Sequence, residues 1–237
     1  MPTTVDAAVR GCVEAVDHLF GGVFARIDGW RTLIEGYVDQ QDGAPTVDGL
    51  DAVVESITAP ELSVDGALMI GAGFVAAPGF LNDAPWHLAW WLGHANTFGI
   101  GSADPTIRRL LADEDPTSES FRDYTTLEWW RVPTMTGERH ITGPYVDYLC
   151  TDDYTLTLTA PVHNGERLIG IVGADLYVND VERALLPHVR GLDAATIVNA
   201  SGRVVVSTDV HRPTGSLLRT ASDRIPCATP GLALVLG

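Results

Sequence analysis

Aromatic rings and carboxylates recur in one block of the sequence, between Trp129 and Asp175. The block holds a tryptophan pair (Trp129, Trp130), a tyrosine and an aspartate two residues apart (Tyr145, Asp147), and a closing aspartate (Asp175). Indole faces attract cations, and a carboxylate forms a charge-assisted hydrogen bond with an ammonium group. Residues two apart on a strand share a face, so Tyr145 and Asp147 are expected to point the same way. The pattern predicts a pocket for a small cation.

Each of these residues also has an ordinary structural role open to it. Adjacent residues on a strand point to opposite faces, so at most one of Trp129 and Trp130 faces a ligand unless the segment is helical or looped. Asp175 could instead cap a helix expected to begin near residue 179. If Asp147 and Asp175 line one pocket, they either share an ammonium group or hold each other partly protonated, and a cation would relieve their repulsion.

The charge of the chain narrows the classes of partner. The 237 residues carry a formal net charge of −16, from 31 acidic and 15 basic side chains. Nucleic-acid binding needs clustered Lys and Arg, so this charge argues against nucleic acid and against an anionic membrane surface. An acidic surplus also serves solubility alone, although its potential favours cationic ligands.

The sequence contains no motif for a metal or a cofactor, and we predict none. His87 and His94 are wrongly spaced for a helical metal pair, and the cysteines Cys12, Cys150 and Cys227 form no zinc or disulfide pattern. No apolar run reaches the roughly 18 residues of a membrane span. The N-terminus lacks the features of a signal peptide, so we expect no membrane span and a cytoplasmic location.

Helical periodicity is clearest in the N-terminal part. Apolar residues from 5 to 37 form the stripe of a long amphipathic helix, in which a bend or break is expected near Gly29. Further helices are predicted over 47–57, 104–112 and 179–189. Asp104 is expected to cap the helix over 104–112.

Alternating and apolar runs predict an antiparallel sheet that follows these helices. Strands are expected over 64–76, 86–92, 145–150, 154–161 and 167–175. The tryptophans at 86, 90 and 91 are assigned mainly to the core, with the alternative that one of them closes the pocket. A small hairpin over 195–207 and an edge strand over 232–236 complete the pattern, which predicts a main module over 1–190 and a second module over 191–237.

Three runs carry a resemblance to a known family. Gly143-Pro144-Tyr145-Val146-Asp147, the segment 157–162 and the segment 169–176 occur in an order that resembles the Cache sensor domains, which are PAS-like ligand-binding modules. The hairpin over 195–207 is similar to the second module of the double Cache type. The resemblance implies an α/β (α+β) fold with a long N-terminal helix, an antiparallel PAS-like sheet and a second, smaller module.

Double Cache domains that bind amino acids or amines are similar in more detail. The resemblance implies that Trp129, Trp130, Tyr145, Asp147 and Asp175 surround a ligand ammonium group, and we add Tyr124 as an outer wall. Amino-acid binders carry an arginine two residues before the first tryptophan, where this chain has Leu127. That departure favours amines, unless Arg122 or Arg131 replaces the missing guanidinium.

Three functions remain open from the sequence. The first is a soluble Cache-type sensor for an amine, polyamine, quaternary amine or amino acid, which signals through a separate regulatory protein. The second is an enzyme acting on small amines with Asp147 or Asp175 as general base. The third is a degenerate module that only forms a homodimer through its N-terminal helix.

Overall fold

A computed structural model of the chain describes residues 4–96, 107–147, 151, 153–219 and 223–237. Within these residues the helices are α1 (Thr4–Asp39), α2 (Val47–Leu62), α3 (Glu128–Thr136) and α4 (Val178–Val189), with a 3-10 turn at Tyr124–Thr126. The strands are β1 (Met69–Ala76), β2 (Leu88–Leu92), β3 (Arg108–Arg109), β4 (His140–Val146), β5 (Tyr154–Asn164), β6 (Arg167–Tyr177), β7 (Thr196–Val198), β8 (Val204–Ser207), β9 (Arg224–Pro226) and β10 (Ala233–Val235).

Two antiparallel sheets organise these strands. The larger sheet has the order β3-β2-β1-β6-β5-β4, and the smaller has the order β8-β7-β10-β9. The longest strands, β5 and β6, form a hairpin that turns at residues 164–167 and lies near the middle of the larger sheet. The predicted α+β class, with a long N-terminal helix and an antiparallel sheet, is confirmed.

Helix α1 covers one face of the larger sheet and packs on β5, β6 and α4. Its buried stripe includes Cys12, Val16, Phe20 and Ile27, spaced three or four residues apart as a helix requires. The break expected near Gly29 is wrong, because α1 runs unbroken from Thr4 to Asp39, and Trp30, Ile34 and Val38 stay buried beyond this glycine. In the described part of the chain, no helix combines the length and apolarity needed to cross a membrane.

The two faces of the larger sheet hold separate apolar clusters. In β5, Leu156 and Leu158 belong to the large core under α1, whereas Thr157 faces the other way. The opposite face carries a smaller cluster that contains Val75, Leu88, Trp90, Leu92, Leu110, Tyr124, Trp129, Trp130 and Ile171. Every residue of β1 and β2 is buried, so the sheet is covered on both faces.

Three sequence expectations need correction. The helix predicted over 104–112 is wrong at Arg108–Arg109, which form β3 because they pair with Trp91 and Leu92 of β2; residues 104–106, with the expected cap Asp104, lie outside the described residues. The strand expected from residue 145 begins at His140, and its last three positions, 148–150, are likewise not described. Strand β10 lies inside the smaller sheet rather than at its edge, because β9 pairs with its free side.

A buried side chain joins the smaller sheet to the strand that carries Tyr145. Asn199, which is 2% exposed, donates from Nδ2 to the carbonyl oxygen of Gly143 at 2.7 Å. Gly143 lies in a bulge of β4 and has φ +102°, a conformation that favours glycine. The boundary expected near residue 190 falls between α4 and β7, and the division into two modules stays a prediction.

A buried histidine holds three segments together. Nε2 of His87 lies 2.7 Å from Asp51 Oδ1, and Nδ1 lies 3.0 Å from Glu114 Oε1, so both ring nitrogens face carboxylates. Arg109 Nη2 lies 2.9 Å from the other oxygen of Asp51. Burial alone would lower the pKa of His87, but the hydrogen bonds to Asp51 and Glu114 outweigh it and raise the pKa to about 9. The imidazolium therefore links α2, the start of β2 and the segment after β3.

We expect Gly73→Ala to destabilise the sheet. A Cβ on Gly73 would overlap the Ala89 carbonyl oxygen and lie 2.7 Å from Trp90 Cα, and neither backbone atom can move without disturbing the β1–β2 pairing. The free energy of unfolding should fall by about 1 to 3 kcal/mol in urea titrations. Gly11→Ala is the matched control, because a Cβ there meets nothing within 4 Å and should be neutral or slightly stabilising. Equal stability of the two variants would contradict the register of β1 and β2.

The raised pKa of His87 predicts that stability falls as the pH rises. The imidazole of His87 binds its proton more tightly in the folded state than in the unfolded state. Its contribution to stability is therefore complete below pH 6.5 and is lost as the pH rises through about 9. The loss should be roughly 3 kcal/mol in the free energy of unfolding. The chain contains no lysine, so no lysine titration adds to this change. Burial raises the pKa of both Cys12 and Cys227, so these thiols affect the pH dependence of stability only above pH 9.0.

His87→Gln and His211→Gln separate this effect from general alkaline weakening. His211 is exposed, and its variant should keep the slope of the parent protein. The H87Q variant should be less stable near neutral pH and should vary little between pH 6.5 and 9. An H87Q profile that falls as steeply as that of the parent would show that another group titrates.

Candidate functional site

The face of the larger sheet opposite α1 brings four of the predicted residues together. Helix α3 carries Trp129, the end of β4 carries Tyr145 and then Asp147, and β6 carries Asp175. Helix α3 packs on β4, β5 and β6, which places its indole over the strands that hold the carboxylates. Asp147 and Asp175 are 6% and 1% exposed, so both carboxylates are buried.

Two hydroxyl groups connect the buried carboxylates. Tyr145 Oη donates to Asp147 Oδ2 at 3.0 Å, and Thr157 Oγ1 donates to Asp175 Oδ1 at 2.7 Å. The two hydroxyl oxygens lie 2.8 Å apart. Thr157 is placed there by register, because it pairs directly with Asp175 across β5 and β6. With both hydroxyl protons directed at carboxylates, this chain of groups offers oxygen acceptors to a ligand, which suits an ammonium group with three donors.

A small cavity lies against the two carboxylates. Its volume is about 20 Å³, and its lining residues are Val75, Leu88, Trp90, Leu110, Trp129, Asp147, Thr157 and Asp175. A cavity of this size holds about one water molecule. We call it the inner cavity. Its lining is apolar apart from the two carboxylates, Thr157 and the indole side chains of Trp90 and Trp129.

A larger groove lies next to the inner cavity. This outer groove has a volume of about 580 Å³, and its wall includes Trp129, Tyr145, Asp147, Leu127, Glu128, Thr142, Arg122 and Arg203. Trp129 and Asp147 line both spaces, so the two spaces meet at these residues. A ligand larger than one water molecule would not fit the inner cavity alone.

Charges of both signs line the outer groove. Arg122 Nη1 donates to the carbonyl oxygens of Glu119 and Phe121 at 3.2 and 3.1 Å, and Arg203 Nη1 donates to that of Gly215 at 2.7 Å. Glu128 lies 3.0 Å from His140 Nε2, and this hydrogen bond lowers the pKa of Glu128. The groove thus has two guanidinium groups within reach of a ligand carboxylate.

Arg122 and Arg131, the two candidate replacements for the arginine that is absent at Leu127, differ in their position relative to the outer groove. Leu127 and Arg122 both line the outer groove, whereas Arg131 is exposed and lines neither space. Arg203, from the start of β8, was not among the sequence candidates. No local pattern marks it, because only the packing of the smaller sheet on β4 brings it to the groove.

Trp130 and Tyr124 lie apart from the two carboxylates. Their rings pack together with centroids 5.2 Å apart, and neither lines the inner cavity or the outer groove. Tyr124 was expected as an outer wall of the pocket, but it is 1% exposed and donates from Oη to the Ala76 carbonyl oxygen at 2.7 Å. Burial raises its pKa. It lines a different cavity of about 390 Å³ with Trp86 and Phe121.

Five residues that line the inner cavity were not among the predicted site residues, and two of them, Thr157 and Trp90, carry polar groups. Thr157 was part of a predicted strand, and its direct pairing with Asp175 depends on a register that the sequence does not show. Trp90 was assigned mainly to the core, with the alternative that one of the three tryptophans closes the pocket, and it lines the cavity together with Asp175. In the described part of the chain no cluster of three or more His, Cys, Asp or Glu side chains could hold a metal ion.

Sequence comparison connects the chain to chemotaxis receptors. Residues 108–183 match the sequence model of the methyl-accepting chemotaxis protein-like, first PDC sensor domain. The methyl-accepting chemotaxis protein PctB of Pseudomonas aeruginosa is 27% identical to the chain over 118 residues. The match covers 48% of this chain and 18% of the receptor, so the chain spans only a small part of that relative.

Solved structures share the fold over nearly the whole chain. One described as methyl-accepting chemotaxis protein X aligns with a TM-score of 0.67 and 14% identity, covering 98% of this chain and 94% of the other. The ligand-binding domain of CtaA from Pseudomonas fluorescens, solved with L-valine, has a TM-score of 0.61, 13% identity and the same coverage. The PctB domain solved with L-Gln has a TM-score of 0.60 and 17% identity over 99% of this chain and 89% of that one. Residues 108–183 are therefore similar to the first PDC sensor domain of methyl-accepting chemotaxis proteins, and the described chain shares the fold of these solved domains.

Proposed function

We propose that this chain is the ligand-sensing domain of a signalling protein and that it binds an α-amino acid, or a close amine analogue, by the ammonium group. The observation that carries the proposal is the buried pair Asp147 and Asp175, each accepting a hydrogen bond from one of two adjacent hydroxyl groups, Tyr145 and Thr157, beside the indole of Trp129. The similar domains of CtaA and PctB were solved with L-valine and L-Gln bound, which supports an amino acid as the first class to test.

Two buried carboxylates favour a positively charged ligand. Each ammonium–carboxylate contact is a charge-assisted hydrogen bond, and burial strengthens it because water no longer screens the charges. The ring of Trp129 adds a cation–π contribution of about 0.5 to 2 kcal/mol if the ammonium lies over its face. Quaternary amines fit this site poorly, because they have no N–H to donate to the acceptor oxygens.

The outer groove supplies a place for the rest of the ligand. Arg122 and Arg203 line it together with Asp147, so a ligand with its ammonium near Asp147 can direct a carboxylate toward a guanidinium. This arrangement offers an amino acid a positive partner although Leu127 occupies the position where the family resemblance implies arginine.

The wider role of the chain rests on its relatives. These relatives are chemoreceptors, which favours signalling through a partner or an output region over the enzyme alternative with Asp147 or Asp175 as base. A homodimer through α1, a separate regulatory partner and a cytoplasmic location stay predictions.

Asp175→Asn should weaken ligand binding at least tenfold. The substitution keeps the size of the side chain but removes a buried negative charge beside the ligand ammonium, and charge-assisted bonds contribute roughly 1.5 to 3 kcal/mol. Isothermal titration with the standard amino acids identifies the tightest ligand of the parent protein, and D175N is then measured with it. Asp193→Asn, at an exposed turn, is the control and should bind like the parent. Unchanged affinity of D175N would place the ligand elsewhere.

The two neighbouring tryptophans should differ in their effect on binding. Trp129→Leu removes a ring that lines both the inner cavity and the outer groove, so the dissociation constant should rise about tenfold. Trp130→Leu removes a ring of similar burial that packs on Tyr124, so it should lower the thermal midpoint while leaving affinity within about twofold. Calorimetric binding and thermal unfolding of both variants check this. A loss of affinity in W130L as large as in W129L would contradict the site.

A further inference from the structure

Trp90 presents a buried hydrogen-bond donor that the protein itself does not use. The residue is 5% exposed, and its Nε1 has no hydrogen-bond partner in the described part of the chain. Indole nitrogen is a donor only, so it cannot be satisfied by another N–H. A buried unpaired donor costs free energy in the folded state, and such groups are rare in native proteins unless a water or a ligand completes them.

The local backbone places this nitrogen close to Asp175. Gly71 of β1 pairs with Asp175 on one side and with Leu92 on the other. A Cβ on Gly71 would lie 2.9 Å from Trp90 Nε1 and 3.4 Å from Asp175 Oδ2. The absence of a side chain at Gly71 therefore lets the indole edge and the carboxylate occupy the space above β1 together, and both residues line the inner cavity.

The rest of the cavity wall is mostly apolar. Val75, Leu88 and Leu110 are apolar, and Thr157 Oγ1 already donates to Asp175. The carboxylates Asp147 and Asp175 attract a cation and repel a ligand oxygen. Trp90 Nε1 attracts a ligand oxygen and offers nothing to an ammonium group. A ligand that satisfies both ends must carry an N–H cation and an oxygen acceptor a few bonds apart.

We propose that Trp90 is a specificity-determining residue whose indole N–H donates to an oxygen of the ligand, while Asp147 and Asp175 hold the ammonium group. This inference rests on the proposed function. In this inference Trp90 distinguishes two classes of ligand. Ligands of the first class carry a carboxylate or carboxamide oxygen next to the amine, and those of the second are plain alkylamines without such an oxygen. A plain alkylamine would leave the indole N–H unpaired in the complex, and a site built to bond a polar group rejects analogues that lack it.

The test compares three ligands on two proteins. The tightest-binding standard amino acid is measured beside its α-carboxamide and its decarboxylated amine, on the parent protein and on Trp90→Phe. Loss of the N–H should weaken the amino acid and the carboxamide about tenfold or more relative to the amine, whose affinity should stay within about twofold. Trp86→Phe is the matched control: Trp86 does not line the inner cavity, so all three affinities should stay near those of the parent.

The outcomes distinguish this inference from the proposed function. Equal weakening of all three ligands by W90F would overturn the role of the N–H while leaving the ammonium site in place. A parent protein that binds no amino acid would overturn both. If W90F does not fold, tryptophan-¹⁵N-labelled parent protein carries the test. The Trp90 indole resonance, assigned through its neighbours Leu88 and Leu110, should then shift downfield with the amino acid and not with the amine; an unshifted resonance in a saturated complex overturns the inference.

Discussion

Two buried carboxylates on one face of an antiparallel sheet impose the central constraint on this molecule. A carboxylate removed from water must be compensated by hydrogen bonds or by a cation, or it destabilises the fold. The chain meets this need in part with two hydroxyl groups, Tyr145 and Thr157, which come from neighbouring strands and donate one to each aspartate. The same oxygens that burial makes costly are those that can hold a ligand ammonium group, so the stability of this face and its binding chemistry depend on the same atoms.

Packing on the opposite face of the sheet fixes the strands that carry the carboxylate and hydroxyl groups. Helix α1 buries its apolar stripe on β5 and β6, and these strands carry Thr157 and Asp175 on their other side. Because side chains alternate along a strand, Leu156 and Leu158 fix the strand under α1 while Thr157 points to the cavity. The position of the cavity groups is thus set by packing that the ligand does not touch.

Local patterns predicted most of the fold, and long-range pairing accounts for what they missed. The stripe of α1 and the alternation of β5 are local signals, and both elements formed as expected. Arg108–Arg109 has no strand signal of its own and becomes β3 only because β2 lies beside it. In the site, spacing and family resemblance led to Trp129, Tyr145, Asp147 and Asp175, which the structure brings together. Trp130 turns away because helix α3 directs adjacent side chains about 100° apart. Trp90 resembled core, since only the register at Gly71 reveals its free indole nitrogen.

The side-chain amide of Asn199 couples the smaller sheet to the larger one. Its Nδ2 is bonded to Gly143 inside the bulge of β4, while its Oδ1 accepts from Ser201 and from the backbone of Arg203. If the bulge moves, either the β7–β8 hairpin moves with it or the hydrogen bond from Asn199 to Gly143 breaks. Because this bond is buried, water does not readily replace it. Tyr145, which donates to Asp147, lies two residues after Gly143. A rearrangement of the bulge on ligand binding would therefore displace the smaller sheet as a rigid unit, rather than be absorbed by a flexible hinge between the sheets.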